Sequence, residues 1–194
     1  SIDLDHVIST DDAEIKSVAE SYGGYCPFIR PPELAKDNVP SLPVVQHAID
    51  YITSNQSKKY DFVVYVQPTS PFWRLDDFSK CIQVLSSSDF ISCVPVTPVA
   101  THPFKMKRIL PEGRLLNYID QGHDEMRASQ LLPPVMRRAG SLYASRIDVV
   151  MKMNTLIGDP CHGFVVPSET AVDIDTPIDL AVARSISNNT SADY

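Results

Sequence analysis

Apolar and polar positions alternate between two periods along most of the chain. An apolar-rich run at 6–10 reads as a short strand, and Thr10-Asp11-Asp12 behind it supplies helix-capping side chains. The helix this predicts over 13–21 ends at Gly23-Gly24, and a second short strand at 25–29 stops at Arg30-Pro31-Pro32. Val44, Val45, Ala48, Ile49 and Ile52 recur at helical spacing, predicting a helix over 44–53. Phe62-Val-Val-Tyr-Val66 is an unbroken apolar run between polar neighbours, the pattern of a strand buried on both faces. An amphipathic helix over 75–85 and a buried strand at 90–96 follow. Strands alternating with helices imply an α/β fold, a mostly parallel sheet with helices on both faces.

The rhythm breaks at 97–134, a proline- and charge-rich stretch with few long apolar periods, which reads as an excursion from the sheet. Charge changes the picture there. The chain of 194 residues carries 17 Lys and Arg against 24 Asp and Glu, a net −7 that argues against general nucleic-acid binding. Residues 102–146 nevertheless hold eight of the basic residues and four of the acids, a local +4 on an otherwise acidic chain. That segment suits a small anionic ligand; the plainer account is a solvated loop. Apolar content of 43% supports one packed domain over 1–187, with a disordered tail at 188–194. No apolar run is long enough for a membrane helix, and the first residues lack a signal-peptide pattern. The four cysteines are widely spaced without a C-x-x-C pair, as in a protein that keeps its thiols reduced in the cytoplasm.

Two segments carry the strongest chemical signal. In Val172-Asp-Ile-Asp-Thr-Pro-Ile-Asp179, an extended 171–175 would turn Asp173 and Asp175 to one face, where paired carboxylates suit Mg²⁺ shared with substrate phosphates. A helix N-cap at Asp175 or Thr176, with Pro177 at the first helical position, accounts for part of the same segment but leaves Asp173 without a purpose. Both readings stay open. Gln67-Pro-Thr-Ser-Pro71 leaves the end of the 62–66 strand, where open sheets bind ligands, and the Gln67 amide offers donors and acceptors; Thr69 or Ser70 capping the next helix is the alternative. Lys105, Arg127, Arg137 and Arg138 supply positive charge for a carboxylate or phosphate.

Taken in order, Ile8-Ser-Thr-Asp-Asp12, Arg30-Pro-Pro-Glu-Leu-Ala-Lys-Asp37, His47-Ala48, Gln67-Pro-Thr-Ser-Pro71, His102-Pro-Phe-Lys105, Gln130-Leu-Leu-Pro133, Gly140-Ser-Leu-Tyr143 and Asp173-Ile-Asp-Thr176 span almost the whole chain. The set resembles the CMP-sialic acid synthetases (N-acylneuraminate cytidylyltransferases) and their legionaminic and pseudaminic acid relatives. The resemblance implies a Rossmann-like nucleotidyltransferase fold and Mg²⁺-dependent transfer of CMP from CTP to the anomeric hydroxyl of a nonulosonic acid, releasing pyrophosphate. It assigns Asp173 and Asp175 to catalysis and the metal, Arg30 and Ser41 to the nucleotide, and Gln67 and Tyr143 to the sugar. Lys105, Arg127 and Arg137 match basic positions near its carboxylate or the phosphates.

The resemblance also implies a homodimer formed through the 97–134 excursion. Two departures accompany it. Where the family sets two apolar residues against the sugar, this chain reads Met153-Asn-Thr-Leu-Ile-Gly-Asp159. The family's apolar first strand and Ala-Arg-x-Gly-Ser-Lys phosphate loop have no counterpart in these residues, which points to a fragment of a longer enzyme. The alternatives are a catalytically inactive protein that binds only the sugar acid or a partner, and a nucleotidyltransferase for another sugar.

Overall fold

The computed structural model describes residues 3–55 and 58–190. Helix α1 (Ala13–Ser21) starts where Asp12 Oδ1 accepts the backbone N–H groups of Glu14 and Ile15 (2.7 and 2.9 Å), so of the candidate caps it is Asp12 that serves. It ends as the spacing predicts: Gly24 N–H returns to Ala19 O (2.9 Å) and Gly23 adopts φ +82°, a left-handed closure that glycine makes without strain. The expected strands at 6–10 and 25–29 lie side by side but form no ladder. Ile8 N–H reaches Tyr25 O and Arg30 N–H reaches Thr10 O, each at 2.8 Å. A parallel bridge at Ile8 would next need an N–H from residue 27, which is proline and has none.

Helix α2 (Ser41–Asn55) covers the expected 44–53 and buries Val45 and Ile52, one stripe two turns apart. Strand β1 (Phe62–Val66) sits where predicted, yet all five residues are only half-buried because it lies at one edge of the main sheet. Helix α3 (Leu75–Ser87) presents Phe78, Cys81 and Leu85 inward at helical spacing. Strand β2 (Ser92–Pro98) is the sheet's buried centre. The 97–134 excursion leaves from it and holds a separate antiparallel pair, β3 (Lys107–Ile109) and β4 (Leu115–Asn117). The chain comes back as β5 (Met136–Arg138) and β6 (Leu142–Arg146), then α4 (Ile147–Met151), β7 (Cys161–Val165) and α5 (Pro177–Thr190).

The sheet is not mostly parallel, as the alternation implied. Only β2–β7 is a parallel ladder among the described strands; β1–β6, β2–β6 and β2–β5 are antiparallel. The cause is the returning excursion. β1, β2 and β7 all run one way, but the chain re-enters antiparallel and wedges β6 between β1 and β2.

β5 and β6 are in effect one return strand with a dislocation. Arg138 faces Val96, whereas Ala144 faces Cys93, so three residues are lost from register in between. Gly140, at φ +86°, lies in that bulge.

Helices do cover both faces. On one, Phe62, Val64 and Val66 of β1 and Leu142 and Ala144 of β6 join Cys81 and Leu85 of α3 in the core. On the other, Tyr65 meets Ser41 at the start of α2 (Tyr65 Oη to Ser41 Oγ, 3.1 Å). There Ser92 and Ser145 hydroxyls bond each other (2.7 Å), Ser145 donates to Leu156 O and Gly158 N–H donates to Ser92 Oγ. This buried polar set is mutually satisfied and pins the loop before β7. At the C-terminus, α5 runs through Thr190, so residues 188–190, expected in a tail, are helical; 191–194 lie outside the described residues.

Candidate functional site

The dislocation in the return strand makes a notch. With no side chain, Gly140 leaves room for three others: a Cβ there would stand 3.2 Å from Ser70 Oγ, 3.6 Å from Asp173 Oδ2 and 3.9 Å from Gln67 Oε1. They arrive from two stretches of chain, the turn after β1 and the segment before α5. Gln67 follows β1, where its N–H reaches Ser141 O (3.3 Å). Ser70 closes the tight turn after it, with Ser70 N–H donating to Gln67 O (3.1 Å), and its hydroxyl donates to Asp173 Oδ1 (3.2 Å). Asp173 comes from the segment before α5, held on either side by Ile174 N–H to Thr69 O and by Arg137 Nη2 to Ala171 O, both 2.8 Å.

Ser70 is fully buried and caps no helix. The N-cap of α3 is Arg74, whose guanidinium instead forks onto Asp77 (3.0 and 3.2 Å).

Residues 171–175 are not a strand; a 3-10 turn over Ser168–Ala171 precedes a bend. The cap and carboxylate readings separate cleanly along this segment. Thr176 is the N-cap: its Oγ accepts Asp179 N–H (3.3 Å) while Asp179 Oδ2 accepts Thr176 N–H (2.8 Å), a reciprocal capping box with Pro177 at the first helical position. The Thr176 hydroxyl, which donates to Asp179 Oδ2 (2.7 Å), and then the Thr176 backbone N–H hold the Asp179 carboxyl below the usual carboxylate range. Asp175 gives its backbone N–H to the same Asp179 oxygen (3.3 Å) and is exposed. Asp173 takes no part in the cap, and its carboxylate belongs to the notch.

Tyr143 adjoins that notch. Its ring stacks on Tyr65 (centroids 6.0 Å, 30° between planes), and the Arg138 guanidinium lies over the same Tyr143 ring, 5.7 Å from its centroid. Burial raises the Tyr143 pKa; Arg138 opposes this while the charge on Asp173 and then Tyr65 add to it, so the phenol stays protonated at neutral pH.

Arg30 and Ser41 come together in a second place, lining a cavity with Leu34, Ala35, Lys36, Val39, Val44 and Tyr65. Arg30 pairs with Asp11 (2.5 Å), and its buried Nε has no hydrogen-bond partner. Tyr65 lines this cavity and stacks on Tyr143, so it links the two groups.

The other basic residues take local partners. Lys105 Nζ donates to Ser129 Oγ (3.3 Å). Arg127 is held by the buried Glu125 carboxylate, which its guanidinium grips through both oxygens (2.6–3.2 Å). Those hydrogen bonds lower the Glu125 pKa to about 2. Sequence reasoning did not single out Gly140 or assign Ser70 to Asp173. The available signal was a glycine interrupting a strand pattern at Ala139-Gly140-Ser141, which marks a bulge or a close approach.

The relatives of this chain agree with one another. It is 26% identical to CMP-N,N'-diacetyllegionaminic acid synthase of Legionella pneumophila, over 93% of this chain and 76% of that protein. It is 29% identical to pseudaminic acid cytidylyltransferase of Campylobacter jejuni, over 92% and 75%. Against N-acylneuraminate cytidylyltransferase of Escherichia coli identity is 22%, over 93% and 41%. The chain is a homologue of these cytidylyltransferases. No protein-family model matches it.

The fold has solved counterparts. A CMP:2-keto-3-deoxy-manno-octonic acid synthetase complexed with CTP superposes with TM-score 0.60 at 14% identity, covering 95% of this chain and 80% of that one. A 4-diphosphocytidyl-2C-methyl-D-erythritol synthase from Anaerococcus prevotii gives 0.56 at 12%, covering 90% and 76%. The architecture is therefore the nucleotidyltransferase one, with antiparallel strands included.

Proposed function

We propose that this chain is the cytidylyltransferase part of an enzyme that transfers CMP from CTP to the anomeric hydroxyl of a nonulosonic acid. The observation that carries this reading is the convergence of Gln67, Ser70 and Asp173 on the bare Cα of Gly140, in a chain whose homologues are cytidylyltransferases. In the reaction a bond forms between the sugar's anomeric oxygen and the α-phosphorus as the bond to the departing pyrophosphate breaks. The Gln67 amide orients the sugar acid by donating and accepting hydrogen bonds, and the protonated Tyr143 phenol adds a neutral donor beside it. Arg30, next to Ser41 in the adjoining cavity, offers its unpartnered Nε to the nucleotide.

Asp173 and Asp175 are the residues that would hold Mg²⁺. The fit is supported at Asp173, whose Oδ2 faces the space left by Gly140, while Asp175 is exposed two residues on; one or two carboxylates are what Mg²⁺ takes from a protein when phosphates and waters complete its shell. Bound there, the ion would offset phosphate charge and ease ionisation of the attacking hydroxyl.

The proposal includes a homodimer built through the excursion. Exposed Ile109, Leu115, Tyr118, Met126 and Leu131 support it, as large apolar side chains that a second copy would cover. A cytoplasmic setting is supported by four cysteines that are all unpaired.

The test is pyrophosphate release from CTP and Mg²⁺ with sialic, legionaminic and pseudaminic acids in turn. Turnover on one of them, lost in Asp173→Asn, is the expected result. No turnover with any, by protein that binds a sugar acid, would overturn the catalytic reading in favour of the binding-only one.

A further inference from the structure

We infer that Ser70 is a positioning residue for Asp173, setting which carboxylate oxygen faces the metal; this rests on the reading of Asp173 as a metal-holding group. Ser70 is fully buried, so its hydroxyl has no access to bulk water, and it donates to Asp173 Oδ1. A carboxylate is planar, so fixing Oδ1 on Ser70 fixes the direction of Oδ2. That second oxygen is the one that faces the gap over Gly140.

The supporting shell is tight on every side. Gly140 packs against the Ser70 hydroxyl, with only 3.2 Å between Ser70 Oγ and the place of a Cβ, so a side chain there would crowd it. The backbone bonds from Ile174 to Thr69 and from Arg137 to Ala171 hold the Asp173 segment against the turn. Gln67 and Ser70 open and close that same turn, so the Ser70 bond also fixes the distance between the sugar-facing amide and the metal-facing carboxylate. Partners that orient a metal ligand in this way are worth about 10- to 100-fold in metal affinity.

The experiment titrates the protein with Mn²⁺ alone and follows binding by water-proton relaxation. Wild type is compared with Ser70→Ala, Asp173→Asn and the double variant, and each is checked for folding by circular dichroism and Tm. The inference expects Ser70→Ala to weaken Mn²⁺ binding by about 10- to 100-fold. It also expects the double variant to bind no more weakly than Asp173→Asn alone, since Ser70 acts only through that carboxylate. Unchanged affinity in Ser70→Ala beside a loss in Asp173→Asn would overturn the Ser70 role and leave the metal assignment standing, even if Tm falls. Unchanged affinity in Asp173→Asn would overturn the metal assignment and the Ser70 role with it. Should the alanine variant fail to fold, Ser70→Cys, which keeps the side-chain shape with a somewhat larger atom that donates only weakly, carries the same comparison.

Discussion

The notch at Gly140 and the arm formed by the excursion hold polar residues in opposite ways. At the notch, side chains from two distant stretches of sequence meet: Ser70 reaches 103 positions along the chain to Asp173. On the arm, partners are near in sequence, as in Arg127 with Glu125 and Lys107 with Asp124, while the apolar side chains Ile109, Leu115 and Met126 face outward. The difference teaches that a single chain preorganises the carboxylate end of the site. The arm finds its polar partners within its own stretch of chain and keeps large apolar side chains exposed.

That contrast can be broken or sharpened by substitution. The largest effect is expected for Asp173→Asn, a loss of about 100-fold or more in pyrophosphate release, whereas Arg127→Gln on the arm lowers it far less. In the core behind the notch, Leu85→Ala should cost about 2–5 kcal/mol in urea unfolding, because Leu85 is wholly buried among Cys81, Leu142 and Phe164. Thr176→Ala removes the N-cap of α5 and should cost about 1 kcal/mol by the same measurement.

Leu115→Ala on the arm should change the stability of one chain by less than about 0.5 kcal/mol, yet weaken self-association by analytical ultracentrifugation if the arm is the dimer contact. The smallest signal is a titration. With a folded pKa of about 2 against an ordinary 4.5, Glu125 adds stability that is fully present above the ordinary value and is lost as pH falls through about 2. A carbon-13 NMR titration of that carboxyl should therefore show a midpoint near 2 in the wild type and a rise toward the ordinary value in Arg127→Gln.

Helices α1, α2 and α3 and strands β1 and β2 were legible because each rests on local rules. Asp12 and Gly23 bracket α1, and the 78–81–85 stripe of α3 is written at helical spacing. The carboxylate segment was half legible: capping chemistry is local, so Thr176 and Asp179 could be read, and Asp173 stood out as the residue the cap does not use. Strand direction was not legible. The period of a buried strand is the same whether its neighbour runs with or against it, so 62–66 and 90–96 suggested a parallel pair that β6 in fact separates. The same limit explains β1, whose apolar run resembles a central strand although it lies at the edge of the described sheet.

What the sequence determined by itself is the set of local structures and the inventory of chemistry: where helices begin and stop, and which carboxylates, amides and guanidinium groups are available. Tertiary structure decided which of them meet. The three-residue slip between β5 and β6 places a glycine where Gln67, Ser70 and Asp173 converge, while Lys105 and Arg127 take partners on the arm. Contacts across a hundred residues depend on how strands order and register once the chain has closed on itself, and no local period encodes that.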